Sequence, residues 1–275
     1  MERLQAAIEK ARERRLSETP KPGPSLEKEP VTARPEPVLT GAWEQLPMLK
    51  TSERKLTRMR VFTAQKSREA VYFDKLRTKI MQQCRDNDWK RVLITSPTAG
   101  CGKSTTAANI AASFSRQRDR RLIVHEMDMR RPSMARMFGH TSQANFSSVL
   151  EGSAAYEDVG LRFAENVVLS MNQGPHATPS KLILQDTTPR ILDEIDERYK
   201  PDLTVIDSPP LLAADDALAL LKMVDCALII VAAEQTTSKE VDSCEKEIAE
   251  LTNVLGIVLN KCNYLDEDYG YGYSV

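Results

Sequence analysis

The sequence lacks the features on which several classes of protein depend. Its 38 basic and 39 acidic residues leave a formal net charge of −1. This balance argues against a general nucleic-acid binder, because such affinity requires a clear excess of basic charge. The five cysteines include no C-x-x-C pair, so neither a disulfide framework nor a zinc site is indicated. A reducing, cytoplasmic location fits this cysteine usage best.

Long apolar segments are also missing. The longest wholly apolar run covers residues 226–233, far short of the roughly 20 residues that a membrane helix needs. Residues 1–15 are charged throughout, unlike a signal peptide. We therefore expect no direct membrane span, and any membrane association must come through a partner.

The N-terminal part of the chain has little capacity to form a core. Residues 2–15 predict a short amphipathic helix, which is either a frayed terminus or a docking helix for another protein. Residues 20–47 hold seven of the fifteen prolines and predict an extended linker. We expect a disordered extension over residues 1–56, a folded domain over 57–262 and a flexible tail over 263–275. Deleting residues 1–50 should then leave ligand binding intact.

A glycine-rich loop joins a predicted strand at residues 92–94 to an alanine-rich predicted helix at 105–113. Gly100, Gly102, Lys103 and Ser104 supply the G-x-G-K-S core of a phosphate-binding loop. Glycines let backbone N–H groups surround a polyphosphate, the lysine contacts its outer phosphates, and the serine hydroxyl is available to Mg²⁺. The general pattern has a glycine where this chain has Pro97. A chance strand-to-helix turn would not explain the flanking elements or the acidic strand ends described next.

Strand and helix patterns alternate along the rest of the chain. Strands are predicted at residues 121–126, 166–171, 202–207, 226–232 and 254–260, with helices at 68–83 and 188–199. This alternation predicts an α/β fold with a doubly wound, mostly parallel sheet of at least six strands, the P-loop NTPase fold.

Acidic residues follow two of the predicted strands. Glu126 and Asp128 lie at the end of the second, and Asp207 ends the fourth, just before Pro209. The carboxyl ends of parallel strands meet at one edge of a sheet, where ligands bind. A carboxylate there is suited to hold Mg²⁺ or a water bound to it.

Five sequence blocks together resemble the bacterial tyrosine kinases, P-loop protein kinases that act in export of capsular and exopolysaccharides. They are SPTAGCGKSTTAANIA, HEMDMRRPS, VIDSPPLLAADDAL, GIVLNK and the terminal YGYGY, and they span about residues 68–275. Related ATPases that partition chromosomes or place the division septum have a lysine where this chain has Thr98. DNA partitioning is disfavoured by that difference and by the overall charge.

The resemblance implies a non-specific protein-tyrosine kinase with ATPase activity that uses ATP and Mg²⁺. Lys103 would bind the β and γ phosphates, with Ser104, Asp128 and Asp207 organising the metal. Glu126 replaces the aspartate that, in the family, helps to activate the attacking tyrosine hydroxyl; its arm is one methylene longer. The implied catalytic residues are Lys103, Glu126, Asp128 and Asp207, and the implied nucleotide-binding residues are Gly100, Cys101, Gly102, Lys103, Ser104, Thr105 and Asn260.

Four of the seven tyrosines lie within the last twelve residues, namely Tyr264, Tyr269, Tyr271 and Tyr273. We predict them to be phosphoacceptors, because an acidic, glycine-containing tail cannot bury itself; the alternative is a tail that packs on the domain. In the family such tails are phosphorylated between subunits of a ring. The family motif for ring contacts, E-x-x-R-x-x-R, corresponds to Val71, Asp74 and Arg77, so only its last arginine is present.

The resemblance also implies partners. A membrane protein of the polysaccharide chain-length (co-polymerase) type would activate the kinase and recruit it to the inner face of the cell membrane. A tyrosine phosphatase and a homo-oligomer are implied as well. Two functions remain open: an autokinase that phosphorylates its own tail and so regulates polysaccharide polymerisation and export, or an ATP-binding switch of the export complex with weak or no kinase activity.

Overall fold

A seven-stranded sheet forms the centre of the computed structural model, which describes residues 41–63, 67–141 and 144–262. The strands are β1 (Arg91–Thr95), β2 (Leu122–Glu126), β3 (Leu161–Ala164), β4 (Val167–Ser170), β5 (Leu203–Asp207), β6 (Cys226–Ala232) and β7 (Asn253–Asn260). Their order is β3-β4-β2-β5-β1-β6-β7. All neighbours are parallel except β3, which pairs antiparallel with β4. The predicted fold class is confirmed.

Helices connect the strands. They are α1 (Gly41–Gln45), α2 (Glu53–Arg58), α3 (Arg68–Asn87), α4 (Lys103–Phe114), α5 (Met134–Phe138), α6 (Phe146–Leu150), α7 (Pro179–Ile183), α8 (Thr187–Tyr199), α9 (Asp215–Leu221) and α10 (Ser238–Ala249). Short 3₁₀ turns cover Tyr156–Asp158 and Leu211–Ala213.

The sheet separates two hydrophobic cores. Successive residues of β1 alternate between them, with Val92 and Ile94 in the core that includes α4 and Leu93 in the core that includes α8 and α10. A parallel strand covered on both faces must be apolar at every position. This is why the central strands could be recognised as continuous apolar runs. β3, a four-residue edge strand with partly exposed residues, was not predicted.

The predicted start of the folded domain at residue 57 is wrong. Trp43 on α1 is fully buried, and its Nε1 donates to the Glu165 carbonyl at 2.7 Å. Leu46 and Leu49 are also buried, and the Leu49 N–H donates to the Arg162 carbonyl at 2.8 Å. The chain therefore packs on the sheet edge from Gly41 onward. Residues 1–40 and 263–275, and with them the predicted N-terminal helix and tail, lie outside the described residues.

Helix α3 is fixed to the C-terminal end of α4 by an ion-pair cluster. Asp74 Oδ1 accepts hydrogen bonds from Ser113 Oγ and from Arg116 Nη2, both at 2.5 Å. Arg77 Nη1 donates to the Ser113 carbonyl at 2.7 Å. Thus Arg77, the one arginine that matches the ring-contact motif, forms a hydrogen bond within the same chain. Val71, at the first position of the motif, is exposed.

Candidate nucleotide and metal site

The loop between β1 and α4 surrounds one side of a cavity of about 480 Å³ at the carboxyl ends of the strands. Gly100 and Gly102 have φ angles of 85° and 98°, which only glycine adopts without strain. Asn260, at the end of β7, donates from Nδ2 to the Cys101 carbonyl at 2.8 Å. A Cβ on Gly102 would lie 2.2 Å from that same nitrogen. The loop conformation therefore depends on two glycines and on a side chain from the edge strand.

We expect Gly102→Ala to abolish measurable nucleotide binding. The added methyl group collides with Asn260 Nδ2 and occupies a backbone conformation that disfavours side chains. Equilibrium titration with a fluorescent ATP analogue measures the loss. The control is Gly174→Ala, where nothing lies within 4 Å of the added carbon. Equal affinities of the two variants would contradict the predicted role of the loop.

The nucleotide-binding residues predicted from sequence separate into two groups. Gly100, Gly102, Lys103, Ser104 and Thr105 line the cavity. Lys103 is only 6% exposed, so its charge is directed into a confined space at the N-terminus of α4. The Cys101 thiol instead contacts the Thr98 carbonyl at 3.3 Å. Cys101 and Asn260 shape the loop without bordering the cavity.

Asp207 is the least stabilised carboxylate of the site. It is fully buried, and neither side-chain oxygen accepts a hydrogen bond from any described residue. Burial raises the pKa of Asp207 to about 7, although the charge of Lys103 and the nearby Ser104 hydroxyl act to lower it. Buried carboxylates are normally paired or bound to a metal. The two free oxygens therefore fit a cation at this position.

Asp128 is the carboxylate that lines the cavity, whereas the fully buried Asp207 does not line it. Its Oδ1 accepts from the Arg131 N–H at 3.1 Å, and the residue is 7% exposed. The carbonyl of Asp207 accepts from the Met127 and Asp128 N–H groups at 2.7 and 3.0 Å, which fixes the two strand ends together. Within the described part of the chain, no three His, Cys, Asp or Glu side chains form a metal cage. Two carboxylates and the Ser104 hydroxyl suit Mg²⁺, which takes further ligands from water and phosphate.

Glu126 lies away from the cavity. Its Oε1 accepts from the Ser133 and Met134 N–H groups at 2.5 and 2.7 Å, and its Oε2 accepts from the Asn172 N–H at 2.8 Å. The residue is fully buried, and burial raises its pKa to about 8 despite these donors. The predicted contact of Glu126 with the reacting hydroxyl is at odds with this position. Its carboxylate fixes the start of α5 to the end of β4.

An arginine network on the rim was not predicted. Arg130, which borders the cavity, donates from Nε and Nη2 to the two carboxylate oxygens of Asp216 at 2.7 and 3.1 Å. Its Nη2 also donates to Ser180 Oγ at 2.8 Å. Asp216 is 1% exposed, so the pair fixes the guanidinium to α7 and α9. Lys261, just beyond β7, is a further cation on the cavity wall.

Two further predictions concern the tail tyrosines and membrane-spanning helices. Tyr264, Tyr269, Tyr271 and Tyr273 lie outside the described residues, so their predicted role stays a prediction. Across residues 41–63, 67–141 and 144–262, every helix is too short or too polar to cross a membrane.

Comparison with known proteins places this geometry in a family. Residues 88–273 match the family model described as "ParA: NUBPL iron-transfer P-loop NTPase". CapB of Staphylococcus aureus, named as a tyrosine-protein kinase, is 30% identical over 211 residues, covering 76% of this chain and 90% of CapB. EpsB of Ralstonia nicotianae, also named as a tyrosine-protein kinase, is 30% identical over 205 residues, or 72% of this chain but only 26% of EpsB.

A solved structure agrees with these sequence matches. The chimerical protein CapA2B2 superposes with a TM-score of 0.67 at 26% identity, covering 80% of this chain and 96% of that chain. The phosphate loop, the buried acidic strand end and the extent of these matches lead to one assignment. The chain belongs to the bacterial tyrosine-protein kinases, within the ParA-like P-loop NTPases.

Proposed function

We propose that the protein is an ATP-dependent tyrosine autokinase that phosphorylates its own tail at Tyr264, Tyr269, Tyr271 and Tyr273. The observation that carries the proposal is the buried carboxylate of Asp207, whose oxygens accept no hydrogen bond in the described structure and whose pKa is lowered by only two neighbours, Lys103 and Ser104. Such a carboxylate is costly to keep, and a metal–nucleotide complex would compensate for it.

The residues of the cavity divide the work of phosphoryl transfer. Backbone N–H groups of the loop and the N-terminus of α4 orient the phosphates, and Lys103 neutralises charge on the β and γ oxygens. Ser104 and Asp207 would hold Mg²⁺, with Asp128 beside them, and the metal would supply neutralisation of phosphate charge. Because the transfer depends mainly on positioning and electrostatics, this set is sufficient.

The acceptor side of the reaction requires a carboxylate that borders the cavity. The tyrosine oxygen forms a bond to the γ-phosphorus as the bond to the β-phosphate oxygen of ADP breaks, and the hydroxyl proton must leave. Glu126 has both oxygens engaged by backbone N–H groups. Asp128 has only Oδ1 engaged, so we assign proton uptake to Asp128.

The wider role is also proposed. A membrane protein of the polysaccharide chain-length type would activate the kinase at the inner face of the membrane. Phosphorylation would then regulate polymer export by changing the assembly of kinase copies, because each phosphate adds negative charge to the tail. A tyrosine phosphatase would reverse the modification.

Phosphotyrosine mapping by mass spectrometry tests the proposal. Protein isolated from its native cells should carry phosphate on the tail tyrosines, and a Lys103→Met version should carry none. Transfer by the purified protein excludes a second kinase. If the tail is unmodified while the purified protein still binds ATP and Mg²⁺, the protein is a nucleotide-controlled switch instead. The internal use of Arg77 favours that alternative.

A further inference from the structure

We infer that Arg131 recognises the acidic residues beside the acceptor tyrosines when the tail of a second copy of this chain enters the cavity. The acidic segment is Asp266-Glu267-Asp268, which directly precedes Tyr269. The inference deepens the proposed function and rests on it, because it names the residue that would select the acceptor.

Two neighbouring arginines border the cavity, and only one of them is neutralised. Arg130 forms an ion pair with the buried carboxylate of Asp216 at 2.7 Å. Arg131 is exposed, and its guanidinium group forms no ion pair with any described residue. The exposed side of the cavity therefore carries a positive charge that is available to an incoming anion.

Arg131 is anchored next to the carboxylate that takes up the proton. Its backbone N–H donates to Asp128 Oδ1 at 3.1 Å, and Asp128 is the residue to which we assign proton uptake. A carboxylate bound to the Arg131 guanidinium would therefore hold an adjoining tyrosine beside Asp128. A fixed backbone with an unpaired side chain suits a residue that receives a ligand from outside.

The phosphates of the nucleotide have other partners. The loop N–H groups and Lys103 lie at the end of β1, and Lys103 is only 6% exposed. Arg131 follows β2, which is separated from β1 by β5, a distance of two strand spacings or about 10 Å. This separation places Arg131 towards the acceptor rather than over the phosphate loop.

The strand order indicates which copy supplies the acidic segment. The order β2-β5-β1-β6-β7 puts the end of β7, where the tail begins, four strand spacings or about 19 Å from the end of β2. From Lys261 to Asp266 a fully extended chain spans at most about 18 Å. The segment would reach Arg131 of its own chain only at full stretch, so we assign the ligand to a second copy.

Charge complementarity defines what Arg131 contributes. A guanidinium group binds a carboxylate through two parallel hydrogen bonds, and the acidic segment offers three consecutive carboxylates. Charges at the rim of an interface raise the rate of association and select among partners more than they strengthen binding. Arg131 should therefore act in the capture of acceptor tails and not in the chemical step.

Transfer to a separate acceptor protein tests this inference. The acceptor is the ¹⁵N-labelled full chain with Lys103→Met, which cannot phosphorylate itself, and the enzyme is the unlabelled full chain at saturating ATP. Mass spectrometry measures phosphate on the labelled tail. Arg131→Glu in the enzyme should raise the KM for the acceptor about tenfold, because attraction becomes repulsion, with kcat changed by less than about twofold.

Arg136→Glu is the matched control. It makes the same change of charge at an exposed arginine on α5 that does not line the cavity. The KM for the acceptor should equal that of the wild-type enzyme.

An exchange of charges gives the decisive comparison. An acceptor with Asp266→Lys/Glu267→Lys/Asp268→Lys should be a poor substrate of the wild-type enzyme and a good substrate of Arg131→Glu. The reason is that the ion pair forms again with opposite polarity. Loss of nucleotide affinity or local misfolding in Arg131→Glu would not be repaired by a change in the acceptor.

Three results would overturn the inference and leave tyrosine kinase activity in place. The first is a KM for the acceptor that Arg131→Glu does not change. The second is a raised KM that the lysine-substituted acceptor does not restore, which would assign Arg131 to nucleotide binding or to the local fold. The third is phosphate found only on unlabelled chains when the acceptor is in excess, which would show transfer within one chain. Absence of phosphate from every chain would instead refute the proposed function, and the inference with it.

Discussion

Asp207→Asn should strongly slow phosphoryl transfer and at the same time stabilise the metal-free protein. Loss of the charge removes a ligand for Mg²⁺ and an electrostatic element of the site, a change that typically lowers the rate on the order of a hundred- to a thousandfold. Yet the carboxylate it removes is fully buried and has no hydrogen-bond donor in the described structure. A substitution that lowers activity but raises stability indicates a residue that serves function at a cost in stability.

The stabilisation should depend on pH in a defined direction. Burial raises the pKa of Asp207 from 3.8 to about 7, so the folded protein binds a proton that the unfolded chain has released. Stability from this group is present below pH 4 and is lost as the pH rises towards 7. The full cost is up to about 4 kcal/mol, and an unpaired asparagine amide offsets about 1–3 kcal/mol of the gain. The free energy of unfolding of Asp207→Asn should therefore exceed that of the wild type at pH 8 and equal it near pH 5.

Urea denaturation in the presence of EDTA, at pH 5 and pH 8, measures the stability difference, and phosphate transfer to the tail measures activity. Asp86→Asn is the matched control, because Asp86 is an exposed carboxylate on α3 and its loss should change neither quantity. A variant less stable than the wild type at pH 8 would contradict the assignment of Asp207 as a charge whose burial outweighs the stabilisation by Lys103 and Ser104.

Trp43→Ala should lower the free energy of unfolding by about 3–5 kcal/mol, the usual cost of removing a fully buried large aromatic side chain. The substitution also removes the hydrogen bond to the Glu165 carbonyl and the stacking of Arg121, whose guanidinium carbon lies 5.3 Å from the ring centroid. The reference is Trp89→Ala, since Trp89 is the second tryptophan of the chain and is only partly buried.

Truncation gives the same test at larger scale. Removal of residues 1–40 should leave urea stability and ATP affinity unchanged, whereas removal of residues 1–50 should unfold much of the sheet edge. The longer deletion takes away Trp43, Leu46 and Leu49 together. If the two truncated proteins have the same midpoint of urea denaturation, the segment that begins at Gly41 does not contribute to the core.

The elements whose identity is set by local chemistry could be predicted from the sequence. The central strands are apolar at every position because both faces are covered. The phosphate loop was recognisable because Gly100, Gly102, Lys103 and Ser104 each have a separate chemical reason for their place. The segment containing Trp43 was missed because its prolines predict a linker, whereas its packing depends on a distant edge formed by β3.

The role of Glu126 was harder to predict for a different reason. Sequence shows that an acid follows β2, but not which way its side chain points. Three backbone N–H groups, from Ser133, Met134 and Asn172, decide this, and their positions depend on two separate loops. Arg77 is similar: its match to a contact motif gave no sign that the Ser113 carbonyl would accept its hydrogen bond.

The strand order has a consequence for how the protein is made. β1, which leads into the phosphate loop, pairs only with β5 and β6, so Arg91 meets its partner Thr204 after more than a hundred further residues have been synthesised. Until then a nascent chain exposes a strand that is apolar on both faces and has two open edges, the kind of segment that aggregates or recruits chaperones. The proposed metal site is also incomplete at this stage, because Asp207 is the last residue of β5. Most of the domain must therefore be synthesised before bound metal and nucleotide can stabilise the folded protein.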